Sequence, residues 1–317
     1  MKLASALDEY ETAKILEGVS EKTQYLYEYA IGGFGEYLGH NPEISEIERD
    51  DIRGYLKHLM EGKGLAKTTV SIHYRTMQAF FNWLVDEGKL EESPMDGMSK
   101  PKTADRHPRI ISQEQVEQLL DSARKRVDCW SGMRNFSMIL TFLETGLRRN
   151  ELASAKLDDL DLEGRSLKVH GKGAKDRKVF FGKRTQQLLK RWLKVRDSIS
   201  AEVTSDTLFI DQNGNQLKGR NVYRVTKRMA KRAGLGDVQV SPHVLRHTAA
   251  TMAVKNGIGP HALKEQFGWS KLSTSMRYVH FVGERLKDEY TTVSPVDNLS
   301  ANKQSNKRND HGKWVSE

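Results

Sequence analysis

Ser241-Pro242-His243-Val244-Leu245-Arg246-His247 reads as the opening of a helix that carries a histidine and an arginine on one side. Ser241 suits the N-cap, where its hydroxyl accepts a backbone N–H, and Pro242 suits the first helical position, where no N–H is needed. His243 and Arg246 then stand three residues apart and point the same way. His243 and His247 stand four apart, the spacing of two zinc ligands. The glutamate of a His-Glu-x-x-His site is absent, however, and Arg246 between them repels a cation, so no metal is expected. Arg246 is the informative residue, because its planar, permanently charged fork can give a phosphate two parallel hydrogen bonds.

Four further stretches carry residues suited to the same chemistry. In Thr145-Gly146-Leu147-Arg148-Arg149-Asn150-Glu151-Leu152 a Thr-Gly turn precedes Arg148, which opens a helix, and Glu151 one turn on is placed to orient its fork. Gly171-Lys172-Gly173-Ala174-Lys175-Asp176-Arg177 reads as a glycine-flanked hairpin turn that lacks the spacing of a Walker loop. Phe267-Gly268-Trp269-Ser270 and Met276-Arg277-Tyr278-Val279-His280 complete the set. Cleaving a phosphodiester needs a nucleophile, donors for the charge that builds on the non-bridging oxygens, and a proton for the leaving oxygen. Tyr278, the two arginines and Lys172 are residue types suited to those roles. Taken singly, each has a plainer reading as a surface arginine, a solvated hairpin lysine or a packed tyrosine.

The chain has 317 residues, enough for two cores. Its formal charge of +9 is uneven: residues 1–100 hold 11 Lys and Arg against 18 Asp and Glu, and the remainder holds 40 against 24. The main attraction for a polyanion therefore lies on 101–317, and nucleic acid is favoured over a membrane surface, which would concentrate charge on one amphipathic segment. The single cysteine, Cys129, can form neither an internal disulfide nor a thiolate cage and reads as packing within a helix. No long apolar run and no leader at Met1 are seen, and a cytoplasmic protein is expected.

Residues 1–100 read as helical throughout, broken at His40-Asn41-Pro42 and at Glu61-Gly62-Lys63-Gly64. The clearest helix starts at Thr68, with Val70, Tyr74, Met77, Phe81 and Leu84 as its buried stripe. Beside that stripe Lys67, Ser71, Arg75, Gln78 and Asn82 form a donor face, the basic one in an acidic region, suited to DNA. Pro94, Pro101 and Pro108 mark the aperiodic stretch 91–109. The expected division is a helical domain over 1–100, a linker over 101–109, a second domain over 110–290 and a polar, mobile tail over 291–317. Ser112 and Gln115 predict a capped helix start. Ser166 to Val169, Lys178 to Phe181, and Thr207 to Ile210 before Asn213-Gly214 predict a small antiparallel sheet among the helices, so the fold class is mainly α with a small sheet.

In order and setting, the five stretches resemble the tyrosine recombinase (phage integrase) family, most closely its Xer-like bacterial and archaeal members. The resemblance implies a SAM-like core-binding domain followed by an α+β catalytic domain, the two closing around duplex DNA. It implies that Tyr278 attacks the scissile phosphate to give a 3′-phosphotyrosyl link, helped by Arg148, His243, Arg246 and Trp269, with Glu151 in support. Lys172 would protonate the leaving 5′ oxygen, with Lys175 ranked second, and Tyr290 lacks the motif that flanks Tyr278. Trp269 stands where the family usually has histidine. An indole N–H donates but cannot relay a proton, so general-base work falls to His243. Neither ATP nor metal nor other cofactor is implied. The implied partners are duplex DNA with a specific recombination site and a homo- or hetero-tetramer on two duplexes, with the tail after Tyr290 as an arm reaching a neighbour. A type IB topoisomerase shares these residues, but the compact N-terminal region and the Xer-like spacing argue against it. A non-catalytic DNA-binding relative is disfavoured by the full set of reactive residues. Integration, excision and dimer resolution of DNA elements all remain open.

Overall fold

The structure, a computed structural model, describes residues 1–102, 108–171, 176–199 and 205–282. Lys172, Lys175, Tyr290, part of the linker and the tail over 291–317 lie outside the described residues. The chain divides into two compact units, Met1–Arg106 and His107–Glu317. No described helix is long and apolar enough to cross a membrane.

The first unit is helical. α1 (Leu3–Leu16) is followed by α2 (Glu21–Tyr27), a π-turn over Glu28–Gly32 and α3 (Gly33–Leu38), which ends at left-handed Gly39 just before His40. α4 (Arg49–Lys57) and α5 (Lys67–Asp86) complete it. Val70, Tyr74, Met77, Phe81 and Leu84 of α5 are all buried, against Tyr10, Phe34, Tyr55 and Phe80 among others. Burying each such side chain is worth about 1.5–3 kcal/mol, which makes α5 the spine of this unit. Lys67, Arg75 and Asn82 are exposed and Gln78 is half-buried. Ser71 corrects the expected donor face, because it is only 4% exposed. It borders the apolar stripe, and Arg75 Nε donates back to its carbonyl at 3.4 Å, laying the arginine along that turn.

The second unit begins with α6 (Gln113–Arg124), whose start is the expected capping box: Ser112 Oγ accepts from the Gln115 N–H at 3.2 Å, and Gln115 Oε1 from the Ser112 N–H at 2.9 Å. α7 (Trp130–Thr145) is buried without a break from Gly132 to Phe142, as befits a helix with neighbours on every side. Cys129 is its N-cap and not a helix-interior residue. α7 ends at Gly146, whose φ of 57° is left-handed, and α8 (Arg149–Ser154) follows after two residues.

Gly146 is required twice over, by its backbone angle and by its neighbour. A Cβ there would lie 2.1 Å from Phe267 Cε1. Left-handed backbone with a side chain and overpacking together cost roughly 2–5 kcal/mol, so Gly146→Ala should lower the denaturant midpoint correspondingly. An unchanged midpoint in urea would refute this account of the turn.

β1 (Leu160–Asp161), β2 (Ser166–Val169) and β3 (Arg177–Phe180) form one antiparallel sheet in that order, with Val169 opposite Arg177. Thr207 to Ile210 is not its third strand. That segment makes isolated bridges, Lys156 with Thr207 and Ile210 with Gln216. It lies buried with its carbonyls taken up by side chains: Trp192 Nε1 donates to Leu208 O, Arg196 to Thr207 O, and Arg134 Nη1 to Ile210 O, all at 2.9–3.2 Å. The unit closes with α9 (Lys183–Ile199), α10 (Gly219–Arg232), α11 (Pro242–Lys255), α12 (Pro260–Phe267) and α13 (Leu272–Val282). α11 starts where Ser241 and Pro242 predict, the Ser241 hydroxyl accepting from the Val244 N–H at 3.3 Å.

Candidate active site

Arg148 leaves the chain at the cap of α8, held between two acceptors. Its Nη1 donates to Glu151 Oε1 at 2.8 Å and its Nη2 to Gly268 O at 3.1 Å, while its backbone N–H donates to Glu151 Oε2 at 2.7 Å. Half of the Arg148 side chain remains exposed. Glu151 is nearly buried and also takes a two-pronged pair from Arg177, Nη1 at 3.0 Å and Nη2 at 2.8 Å. Burial pushes the Glu151 carboxyl up, but the hydrogen bonds from Arg177, from the Arg148 N–H and from the Arg148 fork outweigh it and bring the pKa down to about 2.

A depressed carboxyl stabilises the fold above its unfolded pKa and stops doing so as pH falls through its folded value. From an ordinary 4.5 to about 2, the displacement amounts to about 3 kcal/mol. Glu151→Gln should therefore unfold more easily at pH 7 by about that much, and the gap to the parent should close between about pH 4.5 and 2. Urea titrations across that range test it, and a gap that does not vary with pH would refute it.

Arg246 is buried on α11 and grips two backbone carbonyls: Nη1 donates to Gly146 O, and Nη2 to Phe267 O at 2.5 Å. Burial and then the nearby Arg148 draw its pKa down to about 10, which leaves it charged at neutral pH. Its guanidinium lies 5.4 Å over the Phe267 ring and 5.6 Å over that of Trp269. Trp269 in turn stacks on Tyr278, with ring centroids 5.0 Å apart and planes 7° from parallel. Its indole N–H meets no acceptor among the described residues. Tyr278 is 3% exposed. Its hydroxyl hydrogen-bonds to Nδ1 of His247, whose Nε2 meets His243 Nε2 at 3.2 Å. Burial raises the Tyr278 pKa, while Arg246 and Arg277 pull against it.

Two concavities meet at Arg148 and Trp269. One, of about 490 Å³, runs over Tyr223, His243 and Arg246, and the other, of about 1230 Å³, over the base of the β2–β3 hairpin. At that base His170 bridges Asp176 (2.9 Å) and Asp159 (3.1 Å), and Lys168 Nζ reaches Asp176 at 3.0 Å. The hydrogen bond that His170 donates to Asp176, with Asp159 beside it, raises the His170 pKa. Among the described residues no group of three His, Cys, Asp or Glu is placed to hold a metal.

The phage integrase family profile matches residues 109–284, and the profile of the family's N-terminal SAM-like domain matches 7–89. Tyrosine recombinase XerD of Listeria monocytogenes serovar 1/2a is 30% identical over 88% of this chain and 94% of its own length. Tyrosine recombinase XerC of Bacillus subtilis is 27% identical over 93% of each. The XerH site-specific recombinase, solved with palindromic difH substrate in a post-cleavage complex, shares the fold with a TM-score of 0.72 at 24% identity, covering 85% of this chain and 79% of that one.

The chain belongs to the phage integrase family.

In this tyrosine recombinase Arg148, Glu151, His243, Arg246, Trp269 and Tyr278 converge from α8, α11, α13 and the turn after α12. Lys172 falls outside the described residues, in the sequence between Val169 and Arg177, which pair across β2 and β3. Lys67, Arg75 and Gln78 belong to the other unit. Two members of the cluster are not foreseen from sequence. Arg177 gives no local signal, since a basic residue opening a hairpin strand reads as solvated, and its partner Glu151 is 26 residues away. His247 has one cue, the four-residue step that sets it on the His243 side of α11, and the structure spends that step on a hydrogen bond to Tyr278.

Proposed function

We propose that this enzyme cuts and rejoins duplex DNA at a specific site through a 3′-phosphotyrosyl intermediate, and that the convergence of Arg148, Arg246, Trp269 and His243 around Tyr278 is its catalytic centre. That convergence is the observation that carries the reading. A phosphate in the cleft meets the exposed half of Arg148, the fork of Arg246 and the unengaged Trp269 N–H, donors for charge developing on the non-bridging oxygens. Tyr278 Oη attacks phosphorus as its proton departs toward His243. The bond from phosphorus to the 5′ oxygen breaks, and Lys172 supplies the proton to that oxygen. A 5′ hydroxyl of the partner duplex then reverses the step, so bond energy is conserved and no nucleotide cofactor or metal enters.

Exchange between two duplexes cuts four strands, which calls for four tyrosines and hence a homo- or hetero-tetramer acting on cytoplasmic DNA. The palindromic substrate of the XerH complex fits the same two-fold logic. Lys67, Arg75, Gln78 and Asn82 of α5 contact the flanking duplex. The family match leaves the topoisomerase reading without support.

The test uses a pool of randomised duplexes, each nicked so that the cut product diffuses away, in the presence of EDTA. An SDS-stable adduct with a subset of sequences is expected. No adduct with any duplex would overturn the proposal, and relaxation of arbitrary supercoiled plasmid would move it to the topoisomerase.

A further inference from the structure

We propose that His247 is a further catalytic residue of this recombinase: it takes the Tyr278 proton on Nδ1 and passes its own Nε2 proton to His243. The inference rests on the function proposed above and concerns the route of one proton. His243, the expected base, does not touch the tyrosine hydroxyl. His247 lies between them, hydrogen-bonded to Tyr278 Oη through Nδ1 and to His243 Nε2 through Nε2 at 3.2 Å. The rings of His243 and His247 have centroids 4.2 Å apart, one turn of α11 bringing them together.

Proton placement follows from the contacts. The Tyr278 hydroxyl is buried and meets no other acceptor among the described residues, so it donates to His247 Nδ1. His247 then carries its proton on Nε2 and donates it to His243 Nε2, leaving the His243 proton on Nδ1. The charges that bear on His247 are His243 and Arg246 from its own helix and Arg277 from α13. Burial first, then His243, Arg246 and Arg277, bring its pKa down to about 4, so at neutral pH it is an uncharged acceptor and not a donor of positive charge. An imidazole so unwilling to hold a proton passes one on. Burial and then Arg246 lower the His243 pKa as well, but His243 is exposed at the cleft where His247 is half-buried, so water can stabilise its imidazolium and it is the better terminus.

The step balances. Tyr278 Oη forms a bond to phosphorus while its proton moves to His247 Nδ1 and the Nε2 proton of His247 moves to His243 Nε2. His247 ends neutral in its other tautomer, and His243 ends as an imidazolium. Rejoining runs the same shift backwards.

The test measures adduct formation across pH 6–10 with the nicked duplex selected from the randomised pool. His247→Asn keeps an acceptor near the Nδ1 position but ends the relay, and His247→Phe removes both. Both should slow cleavage by about 10²–10⁴-fold at pH 7.5, the usual worth of a positioned base. Their deficit should shrink about tenfold per pH unit, because ionisation of the phenol itself replaces the relay. His243→Ala combined with His247→Asn should be no slower than the worse single variant, as for residues acting as one unit. Wild-type cleavage by His247→Asn, or a deficit of equal size at every pH, would overturn the relay and leave His247 a packing residue. Failure of the parent enzyme to form any adduct would instead overturn the function itself.

Discussion

Tyr278→Phe should abolish the SDS-stable adduct, with cleavage falling by at least roughly 10⁴-fold, since the oxygen that would bond to phosphorus is removed. The fold should hardly notice. One hydroxyl and its bond to His247 are removed, worth about 0.5–1.5 kcal/mol, and the phenyl ring keeps its stack on Trp269. Affinity for the selected duplex should also survive, because the arginines and the α5 face are untouched. A gel-shift titration beside the adduct assay separates the two effects. An adduct that persists in Tyr278→Phe would assign the nucleophile elsewhere, Tyr290 first.

Arg246→Ala should be the next most damaging change, and it should injure stability as well as rate. Loss of one preorganised donor to the transition state commonly costs about 10²–10³ in rate. Arg246 also satisfies Gly146 O and Phe267 O in a buried setting, and each orphaned carbonyl adds about 1–3 kcal/mol. Arg148→Ala provides the contrast. Its side chain is half exposed and Glu151 keeps Arg177, so a comparable loss of cleavage should come with little loss of stability. Single-turnover cleavage paired with urea unfolding distinguishes them. Equal destabilisation of the two variants would contradict the different anchoring seen here.

What could be read from the sequence was what is decided locally. The caps at Ser112 and Ser241, the Thr-Gly turn before Arg148 and the apolar stripe of α5 depend on residues within one or two turns, and the structure has them where the spacing put them. Thr207 to Ile210 failed as a strand because its alternatives were remote: the side chains that satisfy it come from α7 and α9. Ser71 failed as a donor because a helical wheel fixes direction and not the edge of the covered area. In the site, the family motifs supplied the outer residues. The connections among them, Glu151 to Arg177 and Tyr278 to His247, join segments 26 and 31 residues apart and had no local trace.

The carbonyls that hold the arginines have a common origin. Gly146 caps the C-terminus of α7 and Gly268 that of α12, and Gly146 O, Phe267 O and Gly268 O are the last acceptors of those two helices. The end of each helix carries about half a negative charge from its aligned peptide dipoles. Two such ends therefore serve as a built-in counter-anion, gathering Arg148 and Arg246 before any phosphate arrives. The protein thus holds two like charges close together with acceptors of its own.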